Sequence, residues 1–213
     1  MSGEHTDSAL IVDFGGVLTT SVWRAFDEFC GAEGLATDAV RELFRGNAEA
    51  LRLLRRLETG ELDAEEFEPR FGSLLGVADT RGLIGRLFAG LAPDEAMIDA
   101  VSAARAAGVR TGLVSNSWGL EIYDRAPTDL FDATVISGDV GLHKPEPEIY
   151  LLACERLGVA PELAVFVDDL RENCAGAERV GMVAVLHRDS SETIRRLEDL
   201  LGGRARGAAM IDE

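Results

Sequence analysis

Four groups of polar residues, each beside a short apolar run, have the types that phosphoryl chemistry requires. The first is Asp13-Phe14-Gly15-Gly16-Val17-Leu18-Thr19, at the end of the run Ala9–Phe14. The glycines let the backbone turn sharply and bring N–H groups, that of Gly16 included, near the Asp13 carboxylate. That arrangement suits a phosphoryl group approaching an attacking oxygen. The second is Ser115-Asn116, directly after Leu113-Val114, a hydroxyl and an amide able to donate to phosphoryl oxygens. The third is His143-Lys144-Pro145-Glu146, whose lysine can neutralise a phosphate and a carboxylate nucleophile together. The fourth is Asp168-Asp169, after Ala164–Val167. Adjacent carboxylates repel one another and call for a cation. Hard oxygen ligands at a phosphate site select magnesium. Asn173, four residues past Asp169, falls one helical turn on and can orient the pair.

Each group also has an ordinary reading. A strand-end Asp caps turns, Ser-Asn caps helices, and most lysines are solvated. Their occurrence in this order, each at a strand end, carries the functional reading. Together they supply a nucleophile, phosphoryl donors, a cation and metal ligands, the parts on which phosphoryl transfer depends.

The positioning elements follow from the apolar pattern. Ala9–Phe14, Arg110–Ser115, Ala164–Val167 and Met182–Leu186 read as strands buried on both faces of a parallel sheet. Helical patterns over 93–107, 145–157 and 170–180 lie between them, the first with Pro93 at its opening and Gly108 at its stop. Strands alternating with helices predict an α/β fold, a Rossmann-like open parallel sheet with helices on both faces. Ligands then sit beyond the carboxyl ends of the strands. Residues 21–90 contain no strand pattern, only helical segments separated by glycines, with Asp63-Ala-Glu-Glu66 in the form of a capping box. This block reads as an all-helical insert after the first strand, overhanging the strand ends. The expected domains are 1–20 with 91–213 as the α/β core, and 21–90 as a cap. The tail, 203–213, is expected to fray.

Composition limits the partners. The 213 residues carry 21 Lys and Arg against 38 Asp and Glu, a formal net charge of −17. Such a surface repels phosphate backbones and anionic lipid, so no nucleic-acid and no membrane partner is expected. Cys30, Cys154 and Cys174 are too widely spaced for a metal or redox pair and read as reduced packing residues. MSGEHTDS lacks the features of a signal peptide. A cytoplasmic protein, monomer or homodimer, is expected.

The four groups, in order, resemble the motifs of the haloacid dehalogenase superfamily of hydrolases. The insert resembles that family's helical cap. Thr59-Gly60-Glu61-Leu62-Asp63, followed by Glu66-Phe67, is similar to the branch containing the phosphatase domain of soluble epoxide hydrolase and bacterial sugar-phosphate phosphatases. The resemblance implies a magnesium-dependent phosphohydrolase acting on a small phosphorylated metabolite through an aspartyl-phosphate at Asp13. It implies Mg²⁺ held by Asp13, the Gly15 carbonyl and Asp169, with Asp168 behind them or bridging through water. Gly16, Ser115, Asn116 and Lys144 would hold the transferring group, Lys144 also acting in catalysis.

One position departs from the family pattern. Its phosphatases carry a second aspartate, the general acid and base, where this chain has Gly15. The gap is compatible with two alternatives, a 2-haloacid dehalogenase and a non-catalytic binding or regulatory member. It is also compatible with a donor borrowed from the cap. Trp23, Arg24, Phe44, Arg45 and Trp118 are candidates to border the pocket.

Overall fold

A computed structural model describes residues 8–118 and 128–208, the side chains of 128 and 203–208 excepted. Five parallel strands form one sheet: β1 (Ala9–Val12), β2 (Arg110–Ser115), β3 (Ala133–Ile136), β4 (Ala164–Asp168) and β5 (Val183–Leu186), in the order β3-β2-β1-β4-β5. Alternation along β1 sends Leu10 and Val12 to one face and Ala9 and Ile11 to the other. The first pair packs with Met97 and Val101 of α6 (Glu95–Ala106) and Leu197 of α10 (Ser190–Ala208). The second packs with Ile149 and Tyr150 of α8 (Pro147–Leu157) and Ala177 of α9 (Arg171–Arg179). Both faces of β1 are therefore covered, which is why it reads as an unbroken apolar run rather than an alternating one.

The expected α/β sheet with helices on both faces is the fold observed. Four strands were legible; β3 was not. It has only four residues, Ala-Thr-Val-Ile, lies at the sheet edge and is half exposed, so it lacks a long apolar run. Two prolines stand elsewhere than expected. Pro147, not Pro145, occupies the first turn of α8. Pro93 forms a bridge with Thr19, and α6 opens after Asp94, whose carboxylate accepts from the Met97 N–H at 3.0 Å. The tail is helical through Ala208 rather than frayed from 203; 209–213 lie outside the described residues. No helix among the described residues is long and apolar enough to cross a membrane. Cys30, Cys154 and Cys174 are buried and unpaired with one another.

Between β1 and α6 the chain forms five helices: α1 (Val22–Ala32), α2 (Ala39–Gly46), α3 (Ala48–Glu58), α4 (Ala64–Leu75) and α5 (Leu83–Leu87). The capping residue read from the sequence is in place, Asp63 accepting from the Glu66 N–H at 2.8 Å to open α4. The block has its own apolar core, including Phe26, Phe44, Leu53, Phe67, Phe71 and Leu83. The two connections to the sheet run side by side. Thr20 N–H donates to the Ala92 carbonyl at 2.8 Å, and Asp94 N–H to the Leu18 carbonyl at 2.9 Å.

Trp118 links the two parts. It follows β2 in the chain, yet its ring lies 5.3 Å from Phe88, 5.5 Å from Phe26 and 5.8 Å from Phe67, inside the core of the helical block. Replacing a buried aromatic with alanine costs about 3–5 kcal/mol. Trp118→Ala is expected to lose that much stability by urea unfolding, and Trp118→Phe much less. A loss under about 1 kcal/mol for Trp118→Ala would show that the ring does not join the two parts.

Candidate active site

The order of the strands reverses at β1: the chain proceeds outward through β2 and β3 on one side and β4 and β5 on the other. Crevices at such switch points, beyond the carboxyl ends of the strands, are where open α/β sheets bind ligands. Asp13 leaves β1 there, its N–H still donating to the Val167 carbonyl of β4 at 2.9 Å. Ser115 ends β2 and Asp168 ends β4, so the first, second and fourth groups meet because their strands are neighbours.

Lys144 completes the constellation from the connection between β3 and α8. It is 1% exposed, and its ammonium makes three contacts. It reaches Asp13 Oδ1 at 2.8 Å, Asp168 Oδ2 at 2.7 Å and the Val114 carbonyl at 3.0 Å. Three donors meet three acceptors, so no N–H of Lys144 is left for a phosphate. Asp168 is equally engaged. Its Oδ1 accepts from Leu170 N–H at 2.8 Å and Asn173 Nδ2 at 3.0 Å, and Asn173 also lies 3.1 Å from Oδ2. Asn173 thus orients Asp168 itself, and is held in turn by Tyr150, whose hydroxyl donates to the Asn173 carbonyl at 2.8 Å.

Asp13, Asp168 and Asp169 bring carboxylate oxygens within 4.8 Å of one another. Burial, opposed by Lys144 and assisted by the other two carboxylates, pushes Asp13 up to about 7. Burial and then Asp168 raise Asp169 to about 6. Burial lowers the pKa of Lys144, but the pull of Asp13 and Asp168 outweighs it and the net shift is upward. If all three carboxylates ionise, one ammonium leaves two negative charges in a largely buried site. A divalent cation with a preference for oxygen fits that charge and donor set.

The loop after Asp13 is built around Gly16. Its φ of +78° suits glycine, and a Cβ there would stand 2.7 Å from Asp169 Oδ2. Gly16 was read as a phosphate donor; its N–H instead donates to Thr19 Oγ1 at 3.0 Å. Its evident contribution is to let Asp169 approach. At position 15 a Cβ would meet Val22 Cγ2, from the first residue of α1, at 2.9 Å, so a larger residue there requires Val22 to shift.

Asn116 also differs from its expected use. Its Oδ1 accepts from the Lys144 N–H at 2.9 Å and its Nδ2 donates to the Lys144 carbonyl at 3.1 Å. The amide pins the lysine's backbone. Nδ2 lies also 3.0 Å from His143 Nε2, and that nitrogen is 2.6 Å from Glu58 Oε2. A contact this short holds a hydrogen between the oxygen and nitrogen, whichever carries it. Glu58, in the last turn of α3, was not singled out from the sequence. The available signal was the i, i+3, i+4, i+7 spacing of Leu51, Leu54, Arg55 and Glu58, which marks one helix face. The same turn is fastened further, as Ser137 Oγ donates to the Glu58 carbonyl and Arg55 pairs with Glu146.

These groups form the floor of a cavity of about 490 Å³ between the strand ends and the helices. Asp13, Gly15, Ser115, Asn116, Lys144 and Asp169 all line it. Of the further candidates, Trp23, Phe44 and Trp118 line it too. Arg24 and Arg45 instead pair on the surface with Glu28 and Glu42. Arg55 supplies the arginine of the lining.

A family model described as haloacid dehalogenase-like hydrolase matches residues 8–181. The chain belongs to that family. Among similar proteins, glyceraldehyde 3-phosphate phosphatase of Methanopyrus kandleri is 32% identical over 172 residues, 71% of this chain and 69% of its own. Bifunctional epoxide hydrolase 2 of Rattus norvegicus is 34% identical over 115 residues, half of this chain and 21% of its own. This chain spans only about a fifth of the length of several curated relatives. A haloacid dehalogenase family enzyme from Bacteroides thetaiotaomicron, solved as a magnesium complex, superposes with a TM-score of 0.68 at 22% identity, over 88% of this chain and 98% of that one.

The site's charge has a consequence for stability. Asp169 stands near 6 when folded, above an unfolded value of 3.8. The folded state therefore holds its proton more tightly. The resulting stabilisation is complete below about pH 4 and is lost as the pH rises through 6, at a cost on the order of 2–3 kcal/mol. Asp169→Asn removes that cost. In chelator at pH 8 the variant should melt several degrees above wild type, and the gap should close towards pH 4. A variant less stable than wild type at pH 8 would contradict this.

Proposed function

We propose that this haloacid dehalogenase-like hydrolase is a magnesium-dependent phosphohydrolase that acts on a small phosphorylated metabolite through an aspartyl-phosphate at Asp13. The observation that carries the reading is the buried Asp13–Lys144–Asp168 cluster with Asp169 beside it, beneath a cavity. The phosphatase names of relatives and the magnesium complex of the Bacteroides enzyme support it.

In this reading Asp13, the Gly15 carbonyl and Asp169 would hold Mg²⁺, and the chemistry it would supply is Lewis-acid stabilisation of charge on the phosphoryl oxygens. Asp168 stays behind, since both its oxygens are occupied by Lys144, Asn173 and Leu170. Lys144 favours the ionised form of Asp13 against its burial and aims it, and its charge, rather than a free N–H, favours the phosphoryl group. Ser115 faces the group from the end of β2. Asp13 attacks phosphorus and the ester oxygen leaves with the alcohol. Water then attacks the phosphorus of the aspartyl-phosphate and releases phosphate and Asp13. Residues 21–90 act as the cap and 1–20 with 91–213 as the catalytic core, the cap excluding bulk water from the intermediate.

The departing alkoxide needs a proton that Gly15 cannot supply. In its protonated form the Glu58–His143 pair, which lines the cavity, serves instead and returns to a carboxylate and a neutral imidazole once the proton is given. The donor is thus borrowed from the cap.

Two measurements test the reading. Asp13→Asn should abolish magnesium-dependent release of phosphate, and unchanged turnover would overturn the mechanism. Glu58→Gln should depend on the leaving group. Alkyl phosphates should lose about 10²-fold in kcat, within the range of general acid catalysis. A nitrophenyl phosphate, whose phenolate departs unaided, should lose little. Equal losses on both would remove Glu58 from proton transfer.

A further inference from the structure

We infer that the substrate is a phosphate monoester of an apolar alcohol, whose hydrocarbon body fills the space beneath the helices. This rests on the phosphohydrolase reading of the floor and concerns the remainder of the cavity. Its walls are Trp23, Phe26, Phe44, Leu54, Phe88 and Trp118, drawn from α1, α2, α3, the end of α5 and the turn after β2. Polar lining is confined to the strand ends, the lysine loop, the last turn of α3 and the start of α9.

Helix α3 shows the division along one face. Leu51 and Leu54 stand towards its start, and Arg55 and Glu58 sit in its last turns, joined to Glu146 and His143 of the lysine loop. An ester anchored at Asp13 would thus meet polar partners near the phosphorus and hydrocarbon beyond it. The hydroxyls of a sugar phosphate reaching into that space would give up water without gaining partners. An apolar chain has the opposite balance, because it removes its own surface and that of the rings from water.

The mouth agrees with the walls. Leu51 and Leu170 line the cavity yet are 49% and 37% exposed, in a chain of net charge −17. A hydrocarbon chain leaving the cavity would cover both. The volume of about 490 Å³ lies within the range of small-molecule sites.

The test is kcat/KM for a series of n-alkyl phosphates from ethyl to octyl, below their aggregation concentrations, beside glycerol phosphate and hexose phosphates. The leaving groups are chemically matched, so the series reads burial. The expected result is a rise of about three- to four-fold per methylene until the cavity is full. Leu51→Asp and Leu54→Asp should each flatten that slope. Polyol phosphates turned over as well as the longer alkyl esters, by an activity that Asp13→Asn abolishes, would overturn the apolar assignment and leave the phosphohydrolase reading intact. A slope unaffected by both leucine variants would also overturn it. If no ester in the series is hydrolysed by wild type, both readings fall together.

Discussion

The ammonium of Lys144, held between Asp13, Asp168 and the Val114 carbonyl, is the contact on which the rest of the site depends. A lysine that is 1% exposed is tolerable only with its charge matched and every N–H satisfied. Each partner comes from the end of a different neighbouring strand, so the sheet order β2-β1-β4 is what makes the clasp possible. In return the lysine holds the Asp13 carboxylate in place and joins three strand ends. Lys144 does not offset all of the negative charge, and burial raises both Asp13 and Asp169. That charge and donor set fit a divalent cation. For the proposed phosphate ester, Lys144 and a bound divalent ion would offset the surface charge of −17 locally, at one cavity.

The helical block is coupled to this arrangement at two levels. Trp118 places a side chain from the sheet's own chain segment within the block's aromatic core, which fixes where the block sits. Glu58 reaches back to His143, one residue before the lysine, and Ser137 fastens the same turn. Contacts that position the block are therefore the contacts that complete the floor. The glycine at position 15 also meets the block, since Val22 of α1 stands 2.9 Å from where a Cβ would be.

Much of this was legible in the sequence, and the reasons are physical. Strands buried on both faces must be apolar throughout, so β1, β2, β4 and β5 stood out, and the polar residues ending β1, β2 and β4 marked the site. Strand β3 was hidden because a short edge strand needs no such run. The membership of the site was legible, while the allocation of hydrogen bonds was not. Asn116 and Gly16 were read as donors to phosphate, yet one spends its amide on the lysine loop and the other its N–H on Thr19. Residue type shows what a group can donate, but only the fold shows what stands within reach. Glu58 was missed for the same reason. Its partner is 85 residues away in sequence, and a glutamate late in a charged helix looks like a solvated one.

The central claim is that Lys144 holds Asp13 as a nucleophile that becomes phosphorylated. The most direct measurement is an acid quench during turnover of a phosphate ester radiolabelled at phosphorus, in the presence of magnesium. The account predicts a protein-bound phosphate that hydroxylamine releases, absent from Asp13→Asn and mapped to the peptide containing Asp13. Turnover without bound label under single-turnover conditions, or label that persists in Asp13→Asn, would contradict it.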